Sequence, residues 1–291
     1  MTLSCTAVRP CLLRELLRRE MGLSSTLVKR LKTTGAICVN GLPAPVNARL
    51  APGDRVAVCL DEPPPGFPPE DGPLDILYED DALLALDKPP GLPVHPTAAR
   101  RTGTLANRAA GYYRATGQRC GVHTVTRLDR DTFGVVLLAK NAHVHALLSE
   151  ALRAGLLKKT YLAAVLGAPP RNVGVIDLPI ARCPGPSLRR MISPAGDAAR
   201  TRCRVLARGP EASLLLLRPE TGRTHQLRVH CAALGCPILG DRDYGTEASL
   251  ALSRVLGAET QQLCAARLRL PHPITGAALA ITSRQRPLLG K

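Results

Sequence analysis

The stretch TVTRLDRDTFG, residues 124–134, sets Arg127, Asp129, Arg130 and Asp131 within five positions and then runs into the apolar VVLLA. Two carboxylates at the mouth of an apolar strand admit two readings. In one, each arginine neutralises an aspartate at a solvated turn, an arrangement worth little energy. In the other, one carboxylate is kept ionised in a pocket, where it can act as a nucleophile or a base. That second reading needs partners from elsewhere, because burial alone would neutralise the acid and a nearby cation is required to keep it charged. Two further places offer such partners. Tyr161, in KKTYLAAV, begins an apolar strand beside two lysines. Arg223, in PETGRTHQLRVHCAALG, stands at a turn after an apolar strand, among Thr221, Thr224, His225 and Gln226. Polar crowding of that kind forms sites on loops, although helix caps look similar. His225 and His230 have no cysteine or acid at ligand spacing, so no metal site is expected.

The elements that would position these residues are short apolar runs bounded by turns: DALLALDK, FGVVLLAK, KTYLAAVLG, ASLLLLRPE and ALAIT. They read as strands. Helical spacing appears at 143–154, with His143, Leu147, Leu148, Ala151 and Leu152 on one side, and again at 224–234. Strands and helices do not alternate regularly. The expected fold class is therefore α+β, with a mixed, largely antiparallel sheet flanked by helices. No Walker A loop, G-x-G-x-x-G or H-E-x-x-H occurs, which argues against nucleotide cofactors.

Charge narrows the partner. The chain of 291 residues carries a net +16, and 32 of its 39 basic residues are arginine. A polyanion is the natural partner for such a chain, and arginine contacts phosphate bidentately and stacks on bases. Residues 1–60 hold nine Lys/Arg against three Asp/Glu, whereas 61–80 hold seven acids and no base. DEPPPGFPPEDGP, with six prolines in thirteen residues, reads as a semi-rigid spacer at 61–73. Before it, a leucine stripe at 12, 13, 16 and 17 and a second helix capped by Ser24 or Ser25 precede a hairpin at Asn40-Gly41. Together they make a small helical-then-β module at 1–60, whose second helix exposes Lys29, Arg30 and Lys32; that face suits a phosphate backbone, and taken alone it is more often a solvated surface. The ten cysteines form no C-x-x-C pair and lie among apolar neighbours, as reduced thiols used as small apolar residues do. With no membrane-length apolar run, the expectation is a soluble, cytoplasmic protein.

Five ordered motifs then carry a resemblance. TRLDRDTFG is similar to the H-R-L-D-x-x-T-S-G signature of the RluA-type RNA pseudouridine synthases. KPPGLPVHPT, KKTYLAAV, GRTHQLRVHCAALGCPILGDRDYG and LCAARLRLPHPITG match that family's other elements in order, from about 74 to 284. SSTLVKRLKTTGAICVNGLPAPVNARLAPGDRV resembles the small RNA-binding domain shared with a small-subunit ribosomal protein. The resemblance implies a catalytic domain at 74–291 that isomerises uridine to pseudouridine in structured RNA, ribosomal first and transfer RNA second, without a cofactor. It implies Asp129 as the catalytic carboxylate, Tyr161 as the ring stacked on the target base, Arg223 as the salt-bridge partner of Asp129, and Arg127 as the side chain entering the vacated base position. A monomer is expected. Three positions depart from the family pattern: Thr126 replaces a usual His, Phe133 a usual Ser, and Cys264 a frequent His. Thr126 and Phe133 motivate the alternative of a non-catalytic RNA- or ribosome-associated factor with a degenerate synthase domain.

Overall fold

The computed structural model describes residues 1–289. Residues 1–60 carry their own sheet and their own core. Strand Thr2–Thr6 pairs antiparallel with Arg55–Cys59, which pairs in turn with Ile37–Val39. Helices Leu13–Arg19 and Ser25–Thr33 pack on this sheet through Leu13, Leu16, Leu17, Leu27 and Leu31, all buried. Ser24 caps the second helix, its hydroxyl accepting from the Leu27 amide at 3.2 Å. The hairpin between Ile37–Val39 and Leu42–Pro43 turns through Asn40 and Gly41, both at positive φ, as a two-residue turn of matching twist requires. The leading strand Thr2–Thr6 was not legible in the sequence, because its alternation TLSCT buries no residue fully.

From Ile76 onward the chain builds one ten-stranded sheet. Its central strands are Lys158–Leu166, Leu263–Pro271 and Phe133–Ala139. Every pairing is antiparallel except one: Phe133–Ala139 lies parallel to Leu263–Pro271, through Phe133 opposite Cys264 and Gly134 opposite Ala265. The sheet is thus mixed and largely antiparallel, with helices Leu105–Ala115, Ala142–Arg153, Gln226–Ala233 and Glu247–Val255 against it, the α+β class expected. At the parallel crossing the strands meet so closely that a Cβ on Gly134 would lie 2.5 Å from the Ala265 carbonyl oxygen, and its φ of +105° also favours glycine. That crossing seats the end of the charged loop.

The proline-rich segment is more than a spacer. It lies along helix Leu105–Ala115: the Glu70 amide donates to the Asn107 carbonyl at 2.9 Å, and the Asn107 side chain donates to the Pro68 carbonyl at 2.8 Å. The approach is tight enough that a Cβ on Gly111 would collide with the Glu70 backbone. At the segment's start, the Glu62 carboxylate takes a hydrogen bond from Arg30 of the N-terminal module at 3.2 Å. It also takes one from the Ala142 amide at 2.8 Å, and it meets His123 Nε2 at 2.6 Å. Burial would push the Glu62 carboxyl up, but the bonds from His123, Ala142 and Arg30, together with the His123 charge, outweigh it and hold it at about 2. Arg30, expected on a free RNA-binding face, is instead tied to Glu62, while Lys29 and Lys32 are exposed.

Candidate active site

The loop 126–132 is held at several points. Thr126 is 5% exposed, and its hydroxyl accepts from the Leu137 amide at 2.9 Å. Thr132 takes a hydrogen bond from Gln261. Lys88, fully buried, donates to the carbonyls of Pro89, Leu92 and Arg130 at 2.9, 2.9 and 2.7 Å. An ammonium has three donors, and all three are used here to fasten the KPPG turn to the charged loop. Burial pushes the Lys88 ammonium down to about 7, against the pull of Asp131 and Asp129. Phe133 is buried against Leu162, Cys264 and Ala266, so two of the three departures from the family pattern face each other in one small core. A large residue at 133 meets a small one at 264, which keeps the volume filled.

Held in this way, Asp131 turns to its own neighbour. Arg130 donates to it through Nε and Nη2, both at 3.1 Å, with the Arg130 side chain 65% exposed. This is the ordinary surface pair of the first reading. Asp129 faces a cleft instead. Its nearest cation is not Arg223 but Arg228, whose Nη1 lies 3.4 Å from Asp129 Oδ2. Arg223 is exposed at the rim, donating to the Ala198 carbonyl at 3.1 Å and lying 3.5 Å from Asp197. The expected Arg223–Asp129 pair is therefore corrected to Arg228–Asp129. The cause is local. Gln226 organises the turn: its side-chain oxygen accepts from Thr221 and from the Arg223 amide, and its nitrogen donates to Arg200 and Thr201. The helix therefore starts at Gln226, which puts Arg228 inside its first turn while Arg223 stays outside on the turn.

Arg228 is 6% exposed and almost fully paired. Nε and Nη2 each donate to Asp241 at 2.7 Å, Nη2 also reaches Asp243 at 2.6 Å, and the guanidinium lies 4.9 Å above the Tyr244 ring. Burial works against this charge, but Asp241 first, then Asp243 and Asp129, push its pKa further up. Sequence reasoning passed over Arg228 as part of a helical run. The available signal was a charged residue between Leu227 and Val229 on a helix with an apolar face, since a buried charge demands partners; the acids of GDRDYG supply them.

Tyr161 sits on strand Lys158–Leu166 opposite Leu217 and lines the same cleft as Asp129. Burial, then the Asp129 charge, raises its pKa, so the ring is a neutral phenol. Arg127 is exposed on the cleft wall. The structure thus brings Asp129, Tyr161, Arg127 and Arg223 to one cleft, and leaves Lys29, Arg30 and Lys32 on the N-terminal helix. The cleft encloses about 1880 Å³ and is lined by ten Lys/Arg against two acids, Asp129 and Glu220. No cluster of metal-ligating side chains occurs among the described residues, and the cysteines there are all unpaired.

A carboxylate beside a fixed guanidinium and a neutral aromatic ring, in a basic cleft, marks a site for a polyanionic substrate with a planar group. Comparison with known proteins gives the class: the chain belongs to the RNA pseudouridylate synthase family, whose pattern matches residues 82–233. It is an RluA-type RNA pseudouridine synthase, an isomerase. It is 42% identical over 232 residues to the uncharacterised RNA pseudouridine synthase YhcT of Bacillus subtilis (strain 168), covering 79% of this chain and 74% of that one. It is 36% identical over 259 residues to the ribosomal large subunit pseudouridine synthase D of Pasteurella multocida (strain Pm70), covering 85% and 80%. Among solved structures, human RNA pseudouridylate synthase domain containing 4 superposes with a TM-score of 0.60 at 27% identity, over 73% of this chain and 88% of that one.

Proposed function

We propose that the protein isomerises uridines in structured ribosomal RNA and that Asp129 is the acting carboxylate. The observation that carries this reading is the setting of Asp129: open to the cleft, faced by an arginine that other acids hold in place, and beside a neutral Tyr161. The reaction breaks the bond from the ribose anomeric carbon to N1 of uracil and forms one to C5. The C5 proton leaves and N1 gains one, so nothing is oxidised and no group is donated. An ionised carboxylate serves attack on the anomeric carbon, attack on the base, or removal of the neighbouring ribose proton. Each route begins with a carboxylate that is charged and has free lone pairs. The target base must leave its stack, at a cost of a few kcal/mol. In this reading Tyr161 stacks on it and Arg127 fills the gap, both lining the cleft with Asp129, which offsets part of that cost.

RNA binding is supported by the free cations of the cleft. Lys158, Arg218, Arg267 and Arg269 are exposed there and have no acid partner among the described residues. Strand register sets Lys158 opposite Arg269, and Thr160 opposite Arg267. Ribosomal RNA is favoured by the ribosomal name of the Pasteurella relative and by the ribosomal-protein-like N-terminal module. The alternative of a degenerate binding factor loses its motive, since Thr126 and Phe133 have structural work seating the loop. The test is release of tritium from RNA labelled at uridine C5. Release to water from ribosomal RNA supports the reading; no release from any RNA fraction by folded protein overturns it.

A further inference from the structure

Among the described residues only two other than glycine have positive φ. Asn40 occupies a hairpin turn that asks for it. The other is His225, at φ 56° and ψ 15°, immediately before the helix that carries Arg228, and its side chain caps nothing. A non-glycine residue held in this region costs energy, and such residues gather at functional sites.

The ring of His225 is held at one nitrogen and lies near a carboxylate with the other. Nδ1 lies 2.8 Å from the Tyr244 hydroxyl, and Nε2 points to Asp129 Oδ2 at 3.9 Å. The Tyr244 oxygen already accepts the Arg190 amide at 2.7 Å. An amide can only donate, and the phenol has one proton of its own. The arrangement that uses every proton has Tyr244 O–H donating to Nδ1, which leaves the ring proton on Nε2, aimed at Asp129. Burial raises the Tyr244 hydroxyl, so it keeps the proton it donates. Burial, joined by Arg228, lowers His225, against Asp129, Asp243 and Asp241, so the ring is held neutral.

We propose that His225 is a positioning residue for Asp129: its neutral Nε2–H, set by Tyr244, is a second donor to the carboxylate beside Arg228 and fixes which oxygen faces the ribose. The gap of 3.9 Å exceeds a hydrogen bond and closes by about 1 Å when the cleft fills, as catalytic hydrogen bonds tighten on substrate binding. The arrangement also explains why the backbone is bent at this position: a helical φ at 225 would start the helix one residue earlier and turn the ring out of the line between Tyr244 and Asp129. This inference rests on Asp129 being the acting carboxylate.

The test uses the full-length protein with C5-tritiated RNA, measured as single-turnover rate and RNA affinity, together with imidazole nitrogen NMR. The wild-type ring is expected neutral, with its proton on Nε2. Tyr244→Phe keeps the ring under Arg228 and removes only the hydroxyl. It is expected to abolish that tautomer preference and to lower the rate roughly tenfold with RNA affinity unchanged, the loss of one hydrogen bond to a charged group. His225→Ala is expected to lower the rate roughly 100-fold. His225→Asn tolerates positive φ and carries an N–H donor, and it is expected to recover part of that loss. A wild-type ring protonated on Nδ1, or His225→Asn and Tyr244→Phe both within about twofold of wild type, overturns the proposal even if His225→Ala fails to fold. Those rates read against Asp129→Asn separate the two ideas: an active Asp129→Asn overturns the catalytic reading, whereas full activity of the His225 variants beside a dead Asp129→Asn overturns only this one.

Discussion

Asp129 and Glu62 are built from the same parts. Each is a carboxylate met by one histidine and one arginine, Asp129 by His225 and Arg228, Glu62 by His123 and Arg30. The distances differ. Around Glu62 the partners stand at 2.6, 2.8 and 3.2 Å, and its side chain is 6% exposed. Around Asp129 they stand at 3.4 and 3.9 Å, and its side chain is 30% exposed. A buried carboxylate closed in by three partners at hydrogen-bond distance is out of a substrate's reach and serves as a joint, here between the N-terminal module and the catalytic sheet. An open one, with its cation anchored by other acids, keeps lone pairs free for a substrate. The chemistry follows from how completely the partners close, not from which residues they are.

That contrast can be broken from the largest effect to the smallest. Arg228→Met removes the cation at the open carboxylate and leaves Asp241 buried without its partner. Activity should fall by roughly 10³-fold and stability by about 3–5 kcal/mol, read by tritium release and by denaturant melts; Arg223→Ala should do neither. Glu62→Gln removes the closed-in carboxylate. Because its folded pKa of about 2 lies below the ordinary glutamate value of 4.5, its contribution is complete above about 4.5 and is lost as pH falls through about 2. The variant should be less stable by ~3 kcal/mol at neutral pH, lose less than wild type on acidification across that window, and keep its rate on bound RNA. Replacing Arg218, Arg267 and Arg269 together by Ala should raise KM for RNA with little change in single-turnover rate. It should also reduce the salt dependence of binding by about one unit of slope for each phosphate no longer neutralised. Asp131→Asn, whose hydrogen-bonded partner is the exposed Arg130, should change stability by no more than about 0.5 kcal/mol and activity very little.

Much of this was legible in the sequence, and the rest failed for identifiable reasons. The strand that follows Asp129 and the strand that carries Tyr161 were visible as apolar runs because burial on both faces leaves a continuous signal. The sheet class followed from irregular spacing. What could not be read was which of two arginines five residues apart would face Asp129, because that depends on where the helix begins, and Gln226 decides it through two hydrogen bonds within its own turn and two to Arg200 and Thr201 on a preceding strand. Arg30 looked free because its partner, Glu62, lies 32 residues away in a segment that read as a spacer. Thr126 and Phe133 looked like losses; the first is a hydrogen-bond acceptor for Leu137, and the second fills space next to Cys264.

The most direct measurement is tritium release from C5-labelled ribosomal RNA by Asp129→Asn, run beside Glu62→Gln. The two changes are isosteric and each removes one carboxylate charge. No release above background is expected for Asp129→Asn with RNA binding retained, and release near the wild-type rate is expected for Glu62→Gln. Substantial turnover by Asp129→Asn, or equal loss in both variants, would contradict the assignment of Asp129 as the acting carboxylate.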